Sequence, residues 1–221
     1  MSKKLKVDFF HDAICGWCYV LSPRLRQLTT ELNLDVQHHA FALSPSKAEV
    51  QSQFGSMKQA KHIILGHWQQ CAMADDKNRI NVEGMRKQNF EYPTSMPGLL
   101  ACKAAMKQGG QQEYWDYFDA VTHAHMSENR NIADLNVLAD IAVEVGLNKQ
   151  RFLQDFASQD RLREVKNDRK LARKFDIQST PSLVINDQWL LSGALSLKEL
   201  RKQLKQIKRE LSNDYEILCA H

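Results

Sequence analysis

Two cysteines two residues apart, Cys15-Gly-Trp-Cys18, stand where one hydrophobic rhythm gives way to another. Before them, Leu5–Phe10 alternates apolar and polar residues and then turns fully apolar, which predicts a strand. After them, Tyr19, Leu21, Leu25, Leu28 and Leu32 recur at three- and four-residue spacing, one face of a helix. Pro23 lies inside that pattern and predicts a kink or a local adjustment. Asp35–Leu43 reads as a second strand, closed by Ser44-Pro45-Ser46, with His38 and His39 on opposite faces. Strand, helix and strand within so short a span make a parallel βαβ unit with the cysteine pair at its first junction.

From Ala48 to Phe175 helix formers dominate. The expected helices are Lys58–Met73, Gly98–Gln108, Gln111–Ala124, Ile132–Val145, Lys149–Ser158 and Asp160–Phe175, with Asp76–Met96 mostly loop. Gly109-Gly110 and Gly146 serve as stops. Asn131 or Asn129 is expected to cap the Ile132 helix, and Asn148 the Lys149 helix. The chain then returns to strands: Ser182-Leu-Val-Ile behind Pro181, an Asn186-Asp187 turn, and Gln188-Trp-Leu-Leu. Ser196 caps a last amphipathic helix carrying Leu197, Leu200, Leu204, Ile207 and Leu211. The expected fold class is α/β, a βαβ…ββα unit formed by residues 1–47 and 176–221, with residues 48–175 as an all-helical insertion.

A cysteine opening a helix meets unpaired backbone N–H groups and the positive end of the macrodipole. Both favour the thiolate and lower the pKa from ~8.5 towards ~3.5–7.5. A second cysteine one turn on is close enough to resolve a mixed disulfide. Cys15 is therefore expected to be the nucleophile and Cys18 its resolving partner, with Gly16 leaving the turn open and Trp17 offering an apolar surface. A zinc half-site would need a second close pair of ligands; Cys71, Cys102 and Cys219 stand singly, and no metal or cofactor is expected. Thr180-Pro181 is compatible with a cis peptide bond, an isomer the sequence leaves open. His11 and Asp12 are candidate proton acceptors or electrostatic tuners, although a strand-end histidine and a capping aspartate explain them as well.

Composition narrows the classes. With 30 basic and 26 acidic residues the net charge is only +4, and no basic tract interleaves with aromatics, so nucleic acid is not an expected partner. No segment approaches the ~18 apolar residues of a membrane span, and Met1–Asp8 lacks the apolar run and cleavage site of a leader. The expectation is a cytoplasmic chain, whose five cysteines do not make a disulfide framework. Cys71 and Cys102 are expected as small core residues and Cys219 as a tail residue. Met57, Met73, Met85, Met96, Met106 and Met126 suit a helical core or a soft peptide-binding surface, and Glu91–Gly98 suits a lid edge.

The Cys-x-x-Cys at the first helix, the helical insertion, and Ile177-Gln-Ser-Thr-Pro-Ser-Leu-Val-Ile together resemble DsbA-type thioredoxin-fold oxidoreductases. Within them the chain looks closest to the FrnE-like branch. Cys15-Gly-Trp-Cys-Tyr19 departs from the Cys-Pro-Trp-Cys-Tyr of that branch only at Gly16, and Leu191-Ser-Gly-Ala194 matches its pattern. The resemblance implies a redox pair of Cys15 and Cys18, a cis-proline at Pro181 facing them, and a Thr180 backbone that pairs with an extended substrate. Ser179 replaces a glycine common there. Implied partners are thiols and disulfides, protein or glutathione-like; a homodimer is one outcome for the assembly. Kappa-type glutathione transferases and hydroxychromene carboxylate isomerases share the architecture but typically carry serine where Cys15 stands. A third alternative is a non-enzymatic holdase using the helical insertion.

Overall fold

The computed structural model describes residues 4–219, with side chains to Ser212; the side chain of Cys219 lies outside the described residues. Strand β1 (Leu5–His11) runs parallel to β2 (Leu34–Ala40), in register Val7 to Val36 and Phe9 to His38. Helix α1 (Gly16–Leu32) connects them. On its other edge β1 pairs antiparallel with β3 (Ser182–Ile185), which pairs with β4 (Trp189–Ser192), so the sheet order is β2-β1-β3-β4. Between β2 and β3 lie α2 (Lys47–Phe54), α3 (Met57–Ala74), α4 (Val82–Lys87), α5 (Ser95–Gly109), α6 (Gln111–Met126), α7 (Leu135–Glu144), α8 (Lys149–Ala157) and α9 (Gln159–Lys174). Helix α10 (Leu197–Cys219) closes the described chain, capped by the Ser196 hydroxyl, which accepts the Glu199 N–H at 3.2 Å.

Consecutive residues of β1 face opposite layers. Phe9 meets Phe118 of α6 edge-on at 6.2 Å between ring centres, while Phe10 meets Phe175 beyond α9. Helices therefore cover both faces of the sheet, which lets β1 be apolar on both sides. His38 and His39 do point apart. His38 stacks on Tyr114 in the core, and His39 bonds Asp8 at 2.8 Å and Asp168 at 3.3 Å.

Several boundaries differ from the sequence expectation, each for a local reason. β2 stops at Ala40 rather than Leu43 because β1 ends at His11; the last rung is Phe41 N–H to His11 carbonyl, and Leu43 N–H goes to a carboxylate instead. Helix α2, not expected, is capped by Ser46, and the expected loop contains α4, capped by Asn81. α5 begins at Ser95, since Pro97 in a first turn gives up an N–H that needs no partner. α7 starts at Leu135 under Asp134, not at Ile132 under Asn131 or Asn129. Asn131 folds back on Ala133 N–H, and Asn129, at φ 59°, donates its side-chain amide to the Asn81 carbonyl. β4 runs one residue later than expected because Asn186 and Asp187 both take left-handed conformations, with Gln188 N–H closing on Ile185.

Pro23 leaves α1 unbroken. The carbonyl it orphans, that of Tyr19, accepts a hydrogen bond from the Arg79 guanidinium at 3.2 Å. That guanidinium lies 4.0 Å over the Tyr19 ring and is held by Asp75. A Pro23→Ala variant supplies an N–H to the same carbonyl. Arg79→Ala should then cost less in that background than in the natural chain, with an interaction energy of about 1 kcal/mol in a urea double-mutant cycle. Additive costs would refute the pairing.

Candidate active site

Cys15 is the N-cap of α1. Its backbone is extended (φ −88°, ψ 108°), and its Sγ accepts the Cys18 N–H at 3.3 Å. A short apolar strand running into a tight Asp12–Cys15 turn, closed by Cys15 N–H on the Asp12 carbonyl, sets the sulfur at the helix mouth. Burial opposes ionisation of Cys15. The hydrogen bonds that the Cys18 side chain and the Cys18 N–H give its sulfur outweigh it and hold the thiol below the ordinary cysteine value. Burial and the neighbouring Cys15 push Cys18 well up. One sulfur is thus disposed to be thiolate and the other to keep its proton, the asymmetry a nucleophile and resolving thiol require.

Across from the pair, the Thr180–Pro181 bond is cis, and the Thr180 carbonyl accepts from the Cys15 thiol at 3.7 Å. The loop is fixed from both sides. Gly193, at φ 87°, donates its N–H to the Pro181 carbonyl at 2.8 Å, and the Ser182 hydroxyl donates to Ser179. This gives the Leu191-Ser-Gly-Ala194 segment a physical role: only a residue tolerant of positive φ turns the end of β4 back onto the cis-proline. The Thr180 Oγ1 is buried without a partner.

Of the two expected tuners, Asp12 joins the site and His11 faces elsewhere. His11 lies in the core, its Nε2 3.1 Å from His38 Nδ1, and its ring 4.0 Å from that of Phe118. Burial, then the charges of His38, Lys103 and His39, hold it well below the usual imidazole range, so it is neutral. Asp12, fully buried, accepts from Ile14 N–H at 3.3 Å, Leu43 N–H at 2.7 Å and the Ser95 hydroxyl at 2.6 Å. Burial still pushes its carboxyl up to about 6.

A cleft of about 250 Å³ opens beside Cys15, walled by Trp17, Phe54, Trp68, Cys71 and Tyr92, with Thr180 at its edge. Three features were missed from sequence. Trp68 of α3 donates to the Tyr92 hydroxyl at 3.1 Å, which reaches the Ile14 carbonyl at 3.3 Å and ties the wall to the cysteine turn. The Glu91–Gly98 segment, expected as a lid edge, is anchored there by Tyr92 and Ser95. Cys71, expected as a core residue and indeed buried, also borders the cleft; burial and the nearby Cys15 push its thiol up to about 12. A Cβ on residue 16 would lie 2.9 Å from the Cys71 Sγ, the steric reason for glycine where the FrnE-like pattern has proline. The expected Lys58–Met73 helix is α3, and the Ser46-x-x-Glu49 capping signal could have foretold α2 beside it. Cys102 is a buried core residue. Met57, Met85 and Met126 are buried and Met73 is exposed; none of the six methionines borders the cleft. Among the described residues no cluster of three or more His, Cys, Asp or Glu side chains is arranged to hold a metal ion, and no helix is long and apolar enough to cross a membrane.

The titration of Asp12 is testable. The unfolded carboxyl ionises near 3.8 and the folded one at about 6. The stability from a neutral Asp12 is therefore complete below pH 3.8 and lost as pH rises through 6, a fall on the order of 3 kcal/mol. Urea midpoints from about pH 3.5 to about pH 7 should show this fall in the natural chain and not in Asp12→Asn. Parallel profiles would mean that the Asp12 carboxyl ionises alike in the folded and unfolded chains.

Comparison with known proteins adds four findings. The description of a DSBA-like thioredoxin domain matches residues 6–205. The ClpXP adapter protein SpxH of Bacillus subtilis (strain 168) is 25% identical over 183 residues, 82% of this chain and 58% of that protein, so the chain spans under two thirds of that relative's length. The cytosolic disulfide reductase DsbM from Pseudomonas aeruginosa superposes with a TM-score of 0.70 at 21% identity, covering 96% of this chain and 100% of that one; its structure with GSH gives 0.69 at 20% identity and the same coverage. A 2-hydroxychromene-2-carboxylate isomerase superposes with a TM-score of 0.66 at 15% identity, covering 94% and 98%. At these identities the superpositions establish the fold.

Proposed function

Because the chain belongs to the family of the DSBA-like thioredoxin domain, we propose that it exchanges disulfides through the Cys15–Cys18 pair. The observation that carries this reading is the Cys15 sulfur at the mouth of α1, taking the Cys18 N–H while facing the cis Thr180–Pro181 carbonyl. In the reducing direction the Cys15 thiolate attacks a substrate disulfide. One substrate sulfur leaves as a thiol, and Cys18, once deprotonated, attacks Cys15 Sγ and releases the other. In the oxidising direction a substrate thiolate attacks the Cys15–Cys18 disulfide, and a second substrate thiol releases the product.

Thr180 offers its backbone to an extended substrate segment, and Trp17 borders the apolar cleft that receives residues beside the reacting sulfur. Asp12 is the tuner: when ionised, its charge opposes the Cys15 thiolate. The site suits protein thiols and small thiols of the glutathione type, a range supported by the DsbM structure with GSH. Gly16 aside, the motif supports a reading within the FrnE-like branch, and the cytosolic DsbM supports a cytoplasmic setting.

The test is equilibration of the protein against glutathione buffers, with Cys15→Ala as control. A reversible two-electron couple between roughly −270 and −120 mV is expected, lost in the variant. Disulfide reductase activity should fall to background with it. If no Cys15–Cys18 disulfide forms at any poise, the reading fails and glutathione-transferase chemistry takes its place.

A further inference from the structure

The cleft beside the nucleophile carries a third thiol for which the dithiol cycle has no use. Cys71 projects from α3 toward the first turn of α1, its Sγ 2.9 Å and its Cβ 3.3 Å from where a Cβ on residue 16 would stand. Its sulfur therefore lies against the residue next to Cys15, and both cysteines border the same cleft. His67, one helical turn before Cys71, borders the same cleft from an exposed position. Cys71 is free and nearly sealed from solvent, as Cys18 is, so burial alone does not separate a resolving thiol from an inert one here.

We propose that Cys71 is a second resolving thiol for Cys15, acting from the substrate side of the site; this rests on Cys15 being the nucleophile. After the Cys15 thiolate has attacked a disulfide substrate and expelled one of its sulfurs as a thiol, a mixed disulfide links Cys15 Sγ to the other substrate sulfur. Cys71 gives its proton to His67 or water, and its thiolate attacks Cys15 Sγ. The bond from Cys15 to the substrate sulfur breaks, the substrate leaves as a thiolate that takes up a proton, and a Cys15–Cys71 disulfide remains. The two protein thiols are oxidised together, and the substrate disulfide is the oxidant. A mixed disulfide on Cys15 then has two exits, one through Cys18 beneath it and one through Cys71 beside it.

The experiment removes the first exit. Cys18→Ala is treated with oxidised glutathione, excess reagent is removed, and the Cys15 adduct is followed by intact mass and peptide mapping. The adduct should decay with release of glutathione into a mapped Cys15–Cys71 disulfide, and it should persist in Cys18→Ala/Cys71→Ser, a near-isosteric change that keeps the fold. The mapping is decisive without the double variant. An adduct that persists equally in both proteins, or that resolves onto Cys102, overturns the role of Cys71 while leaving the dithiol reading intact. Failure of Cys18→Ala to form any adduct on Cys15 overturns the dithiol reading and this inference together.

Discussion

The Asp12 carboxylate accepts hydrogen bonds from Ile14 in the cysteine turn, Leu43 after β2 and Ser95 at the start of α5. These segments are far apart in sequence and meet at the C-terminal ends of β1 and β2. Full burial makes ionisation costly, and the pKa of about 6 shows that the three bonds offset only part of that cost. The turn that presents Cys15, the loop that leads into the α2–α3 wall and the helix behind it are thus fixed relative to one another by one side chain. The sulfur geometry depends on it.

A second polar network holds the helical segment to the sheet on the opposite face. Asp168 of α9 accepts from Ala40 N–H at 2.8 Å, contacts His39 and pairs with the buried Lys103 of α5 at 2.5 Å. Burial works against a charged His39, but its two carboxylate partners, Asp168 and Asp8, win and raise its pKa. Its neighbour His38, on the other face, is held neutral by burial and nearby cations. The pKa values of adjacent residues of one strand thus move in opposite directions because the pleat sends them into opposite environments. Polar networks of this kind specify position as well as stability, since each member left alone would be an unpaired buried group.

The cleft shows how the two layers combine. The N-cap of α1 supplies Cys15, the loop before β3 supplies the cis-proline, and α3 with Tyr92 supplies the apolar wall. Gly16 is the point of contact, because the first turn of α1 can approach α3 closely only where no Cβ intervenes. One residue between the two cysteines therefore records a contact with side chains more than fifty positions away in the chain.

By itself the sequence determined what local pattern can encode. Period-two and period-3.6 alternation placed β1, α1, β3 and most of the helices, and two cysteines at a strand-to-helix junction marked the candidate redox pair. Short elements escaped it. α2 and α4 carry too few apolar residues to show a period, and α7 began where Asp134 rather than Asn131 or Asn129 capped it. The tertiary structure decided everything that depends on distant partners: the end of β2, set by the length of β1; the neutrality of His11, set by its place in the core; and the rescue of the Tyr19 carbonyl by Arg79. It also decided that Cys71 borders the same cleft as Cys15 while Cys102 is buried in the core. Hydrophobic period is a property of neighbours along the chain, whereas desolvation, charge and close approach belong to neighbours in space.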